Sequence, residues 1–124
     1  MDNAKLYEEA VKAKEFAYSP YYKFRVGSAL LTSAGKVYTG CNIETAAGVT
    51  ICAERVAVAK AISEGDKNFV AIAIASDTDD FTFPCGMCRQ FIKEFADELN
   101  VVLGNGKEVK IYKLTELLPY SFKI

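Results

Sequence analysis

The longest apolar run in the chain, Phe69-Val70-Ala71-Ile72-Ala73-Ile74-Ala75, constrains the fold more than any other segment. A strand that is apolar at every position, rather than at every second one, is buried on both faces. The run therefore predicts a central strand in a sheet with helices on both sides. It is also far short of the roughly 18 residues that a membrane span needs, and no apolar leader follows Met1-Asp2-Asn3-Ala4-Lys5. The sequence reads as a cytoplasmic protein with no membrane partner.

The flanking segments complete that sheet. Leu6, Ala10, Ala13 and Ala17 recur at helical spacing from Asn3 until Ser19-Pro20 interrupts them. Phe24 to Thr32 and Lys36 to Asn42 read as a hairpin turned at Ser33-Ala34-Gly35. A helix is predicted from about Ile51 to Ser63, capped by Thr50 and ended by Gly65. Pro84 suits the first turn of another, running to about Glu98 with Phe91, Ile92 and Phe95 on one side. Val101 to Leu103 and Val109 to Tyr112 flank Gly104-Asn105-Gly106, whose Asn-Gly pair predicts an antiparallel hairpin. Thr115 can cap a short helix over Glu116 to Leu118. The predicted order is αββαβαββα, an α/β chain with a five-stranded mixed sheet. A length of 124 residues leaves room for one domain, residues 1–124.

Composition narrows the chemistry. Fifteen Lys and Arg against sixteen Asp and Glu give a net charge of -1, without the positive excess that holds a polyanion, so no nucleic-acid partner is expected. Histidine is absent, which excludes Ser-His-Asp triads, Cys-His nucleophile pairs and zinc sites that use imidazole. Any zinc must be held by thiolates or carboxylates. Cys85 and Cys88 lie three apart at a predicted helix start, and Cys52 lies at another, where exposed N–H groups favour the thiolate. Three ligands with an open fourth position match a catalytic zinc, whereas Cys41 as a fourth ligand would make a structural one.

Cys52-Ala53-Glu54 followed by Pro84-Cys85-Gly86-Met87-Cys88 is the signature pattern of the zinc deaminases. Together with Tyr18 to Gly27, Gly40 to Glu44, Thr50 to Arg55 and Leu117-Leu118-Pro119, it makes nearly the whole chain resemble the homotetrameric, all-cysteine cytidine deaminases. The resemblance implies a three-layer αβα cytidine deaminase fold and one zinc per subunit, held by Cys52, Cys85 and Cys88. It further implies hydrolysis of cytidine and deoxycytidine to uridine and deoxyuridine in pyrimidine salvage, within a homotetramer. Glu54, which is not a ligand, is the motif group left to take a proton from water and deliver protons to the substrate. Arg55 lies three residues after Cys52, close enough on a helix to donate to its sulfur and offset the negative charge of three thiolates around one divalent ion. The resemblance gives the matching arginine that role. It also assigns Asn42 and Glu44 to the ribose, Phe24 and Ala53 to the substrate pocket, and Phe122 to a neighbouring subunit's site.

The run from Pro84 to Arg89 also resembles the blasticidin S deaminases, which act on a cytosine nucleoside antibiotic, whereas Asn42 and Glu44 together suit a ribose. A polynucleotide-editing deaminase would need a helix between the last two strands, where the Gly104-Asn105-Gly106 turn leaves no room. A non-enzymatic zinc module would need Cys41 as a ligand and would have no use for Glu54.

Overall fold

The computed structural model describes residues 1–124. Helix α1 (Asn3–Lys14), strands β1 (Val26–Thr32) and β2 (Val37–Cys41), helix α2 (Ala53–Ser63), strand β3 (Phe69–Ser76), helix α3 (Gly86–Lys93), strands β4 (Asn100–Gly104) and β5 (Val109–Lys113), and helix α4 (Leu114–Leu117) follow in the predicted order. The five strands form one sheet in the order β2-β1-β3-β4-β5. β3 and β4 run parallel, and every other neighbouring pair is antiparallel. With helices on both faces, this is the three-layer αβα arrangement.

The apolar run at β3 does alternate, though by size rather than polarity. Ile72 and Ile74 point into a cluster with Leu30, Val58, Ile92, Val101 and Leu103, beneath α2 and α3. Ala71, Ala73 and Ala75 face the other way, with Ala29, Val102 and the α1 residues Leu6 and Ala10. Small side chains on that face let α1 lie close to the sheet, and a β-carbon at Gly27 would meet the α1 backbone at Ala10 and Lys14. On the opposite face, a β-carbon at Gly40 would strike the α2 backbone at Ala53 and Ala57. Both helices are thus seated by a glycine.

Four local expectations are corrected. α1 stops at Lys14 rather than Ala17, because Glu15, Phe16 and Ala17 each donate to a carbonyl three residues back, tightening the last turn. Thr50 is not the cap of α2: Ile43 and Ile51 exchange both backbone hydrogen bonds at 3.0 Å, holding Ile51 extended, so the cap falls on Cys52. α3 starts after Pro84, with Cys85 as its cap, and ends at Lys93 rather than near Glu98. Beyond it the Phe95 and Ala96 amides both turn back onto the Ile92 carbonyl, and Phe95 packs edge-on against Phe69. Thr115 lies inside α4, whose start is instead fastened by the Lys113 amide donating to the Glu116 carboxylate at 2.8 Å. Gly65 ends α2 as expected. With φ at 87°, its amide reaches Ile62 and the next amide reaches Ala61, satisfying carbonyls that the helix leaves open.

Candidate active site

The N-termini of α2 and α3 meet above the same face of the sheet, and both are capped by cysteine. Cys52 has extended backbone angles and makes no side-chain cap bond, which leaves its sulfur free. Cys85 Sγ accepts from the Cys88 amide at 3.4 Å, and that turn presents both sulfurs to the same side. Cys52 Sγ lies 4.0 Å from Cys85 Sγ, Cys85 Sγ lies 3.4 Å from Cys88 Sγ, and all three are within 4.8 Å of one another. Tetrahedral zinc with bonds near 2.3 Å holds its sulfurs roughly 3.8 Å apart, so the cluster already has the dimensions of a three-thiolate zinc site. Cys41, at the end of β2, is not part of this cluster.

Arg55 supplies the positive charge. Its Nη2 donates to the Thr50 carbonyl at 3.0 Å and contacts Cys52 Sγ at 3.6 Å, while its Nε is buried without an acceptor. An unpaired buried guanidinium N–H beside thiols is a ready donor to the extra negative charge of metal-bound thiolates. In the protein without metal, the Cys88 thiol and the Arg55 guanidinium hold the Cys52 thiol well below the ordinary range, against the opposing effect of burial. The proton retained by Cys88 is correspondingly harder to remove, chiefly because of Cys52 and burial. Burial is also the main influence on Glu54, which is only 4% exposed. It pushes the Glu54 carboxyl up to about 7, with the Cys52 charge adding to the rise. A carboxyl group poised there can both accept and release a proton near neutral pH.

Beside the cluster lies a cavity of about 180 Å³ lined by Val26, Asn42, Thr50, Cys52, Ala53, Glu54, Thr82, Phe83 and Cys85. It brings together Glu54, Asn42, Ala53 and two of the cysteines. The Asn42 amide is held on both ends, accepting from the Val26 amide at 2.9 Å and donating to the Phe24 carbonyl at 2.9 Å. Ala53 is fully buried, and its carbonyl accepts from the Ser28 hydroxyl at 2.7 Å.

Three of the residues that the sequence assigned to the substrate do not line this cavity. Glu44 is buried in an adjoining hollow of about 300 Å³ with Tyr21, Tyr22, Thr45, Ala46, Gly48 and Thr50, and one of its oxygens accepts from the Tyr21 and Tyr22 amides. Thr50 lines both hollows. The Phe24 side chain is 39% exposed. Phe122 is exposed and lies with Met87 and Phe91 over the outer face of α3. Sequence reasoning missed Thr82 and Phe83. Their signal was position, directly before the Pro84-Cys85 step, where the chain must pass the cavity mouth.

The family described as "Cytidine and deoxycytidylate deaminase zinc-binding region" matches residues 1–104. The chain belongs to this deaminase family. A cytidine deaminase from Sporosarcina psychrophila is 47% identical, over 98% of this chain and 92% of its own length. The crystal structure of a cytidine deaminase from Burkholderia pseudomallei superposes with a TM-score of 0.94 at 42% identity, over 98% of this chain and all of that one. A blasticidin-S deaminase from Bacillus cereus is more distant, 37% identical over 81% of this chain and 78% of its own length. The deaminase family's zinc-binding description and the Cys52, Cys85 and Cys88 cluster agree on one zinc.

Proposed function

We propose that this chain is a zinc-dependent cytidine deaminase that hydrolyses cytidine and deoxycytidine to uridine and deoxyuridine with release of ammonia. The observation that carries this reading is the buried Glu54 carboxyl in the cavity that reaches Cys52 and Cys85. Cys52, Cys85 and Cys88 hold the metal, which when bound supplies an acidified water and a Lewis acid. Glu54 takes the proton from the attacking water, delivers a proton to N3 of the base, and carries another to the departing nitrogen. One water is consumed, the C4–N4 bond breaks and a C4 carbonyl forms. Arg55 offsets the site's negative charge.

The ribose assignments draw support from what the held groups leave over. With one N–H and one lone pair of its amide already used, Asn42 keeps one of each for a hydroxyl, in a fixed orientation. Glu44 keeps its second oxygen. Ala53 lines the cavity, and Phe24 stands two residues before Val26, which also lines it. The exposed Phe122, Met87 and Phe91 support a homotetramer in which Phe122 reaches a neighbouring site. The single sheet with a core cluster on each face supports one domain over residues 1–124. Four free cysteines suit a cytoplasmic enzyme of pyrimidine salvage.

The test is loss of absorbance near the cytidine maximum when zinc-loaded protein meets cytidine or deoxycytidine. No loss with either would contradict the proposal, and turnover of blasticidin S alone would favour the antibiotic-directed alternative.

A further inference from the structure

Arg89 follows directly after Cys88, and its side chain turns back along α3 instead of outward. Its Nε donates to the Pro84 carbonyl at 2.7 Å, and its Nη1 donates to the Leu117 carbonyl at 2.6 Å. The fork of a half-buried guanidinium is thus spent on two backbone carbonyls from segments far apart in sequence, rather than on a carboxylate.

The Pro84 carbonyl belongs to the peptide that enters Cys85. The Arg89 backbone amide meanwhile donates to the Cys85 carbonyl at 3.0 Å. The Arg89 side chain therefore holds the peptide that enters Cys85, while its amide makes the ordinary first-turn helix bond on the far side; the two together fix the direction of the Cys85 β-carbon, and the Cys88 amide holds its sulfur. Cys85 needs such support more than its partners, because it is the exposed member of the cluster whereas Cys88 is buried. The other arm reaches the end of α4, and the neighbouring Gln90 Nε2 donates to the Phe122 carbonyl at 3.1 Å. Two consecutive residues of α3 thus fasten the C-terminal segment to the turn that carries two of the three thiols.

We infer that Arg89 is a positioning residue for the metal site, holding Cys85 in place by bracing its turn against the end of α4. The inference rests on Cys52, Cys85 and Cys88 being the metal ligands. Groups that orient metal ligands cost roughly 10- to 100-fold in affinity when removed. A lysine keeps the charge but not the two-pronged geometry.

The test is zinc affinity of the full-length protein, measured by competition with a chromophoric chelator, with circular dichroism and thermal melting of the metal-free protein confirming the fold. Arg89→Met is expected to bind zinc at least about tenfold more weakly. An affinity within twofold of wild type in folded Arg89→Met would overturn the inference, because a bracing role in the fold alone would change melting and not zinc affinity. If Arg89→Met does not fold, Arg89→Lys decides the matter: weakening of threefold or more supports the inference, and unchanged affinity overturns it. Cys85→Ser serves as the control. Retention of tight zinc binding there would show that the ligand assignment had failed, separately from Arg89.

Discussion

A methyl group added at Gly40 should damage catalysis more than it damages the fold. A β-carbon built there lies 2.7 Å from the Ala57 amide nitrogen and closer still to the Ala53 carbonyl oxygen. Both are backbone atoms of α2, so no side chain can rotate away. Restoring ordinary contact at about 3.5 Å requires α2 to lift from β2 by roughly 1 Å. Overpacking of this kind costs about 1–3 kcal/mol, which at roughly 4 °C per kcal/mol for a chain this long lowers the melting midpoint by about 4–12 °C. α2 carries Cys52 at its cap and Glu54 in its first turn, and a 1 Å misplacement of catalytic groups costs on the order of 10²-fold in rate. Gly27→Ala is the control for crowding: its β-carbon would lie 2.8 Å from Lys14 Cα and closer still to the Lys14 amide nitrogen and the Ala10 carbonyl oxygen, a clash at least as tight that pushes α1 from the opposite face. Melting midpoints and kcat/KM for cytidine, compared at one protein concentration, should show similar destabilisation in both variants and a far larger kinetic loss in Gly40→Ala. Equal kinetic losses, or a Gly40→Ala variant as active as wild type, would refute this coupling of helix seating to chemistry.

Arg55→Gln should leave the thiolate site with uncompensated negative charge, so the rise of activity with pH should move to higher pH; an unchanged pH–rate profile would reduce Arg55 to a packing role. Asp77 is held down at about 2, chiefly by hydrogen bonds from Arg25, so its contribution to stability is complete above its unfolded value near 4 and lost as pH falls toward 2. The melting gap between wild type and Asp77→Asn should therefore be widest above pH 5 and narrow steeply as pH falls through 2, and a gap as wide at pH 2 as at pH 5 would contradict this. Mixing Phe122→Ala with Glu54→Ala chains should restore some activity through mixed assemblies, whereas a fully active monomer would leave Phe122 as tail packing.

Local signals predicted the elements well wherever a single physical cause dominated. Continuous burial announced β3, and the Asn-Gly pair announced the β4–β5 hairpin, where Asn105 Oδ1 accepts from the Lys107 and Glu108 amides. The element ends that were missed were set by partners distant in sequence or by side chains of unusual use. Thr50 is the better capping residue by propensity, yet the Ile43–Ile51 bridge moves the cap to Cys52, whose sulfur is kept free of capping. The periodicity of Phe91, Ile92 and Phe95 continued past the end of α3, because Phe95 reaches the same core from a turn. At the site, cysteine spacing was enough to gather the three sulfurs. It could not show that Glu44 sits in a hollow separate from Asn42, nor that Arg89 braces Cys85, because both depend on backbone groups that no motif records.

The central claim is that three thiolates hold the metal while Glu54 moves the protons. Zinc content and cytidine turnover measured on the same preparations of wild type and Glu54→Gln test it most directly. The expected result is close to one zinc per chain in both, with the rate of the variant lower by roughly 10²- to 10⁴-fold. A Glu54→Gln enzyme that keeps its zinc and turns over cytidine within about threefold of wild type, far below that expected loss, would contradict the account.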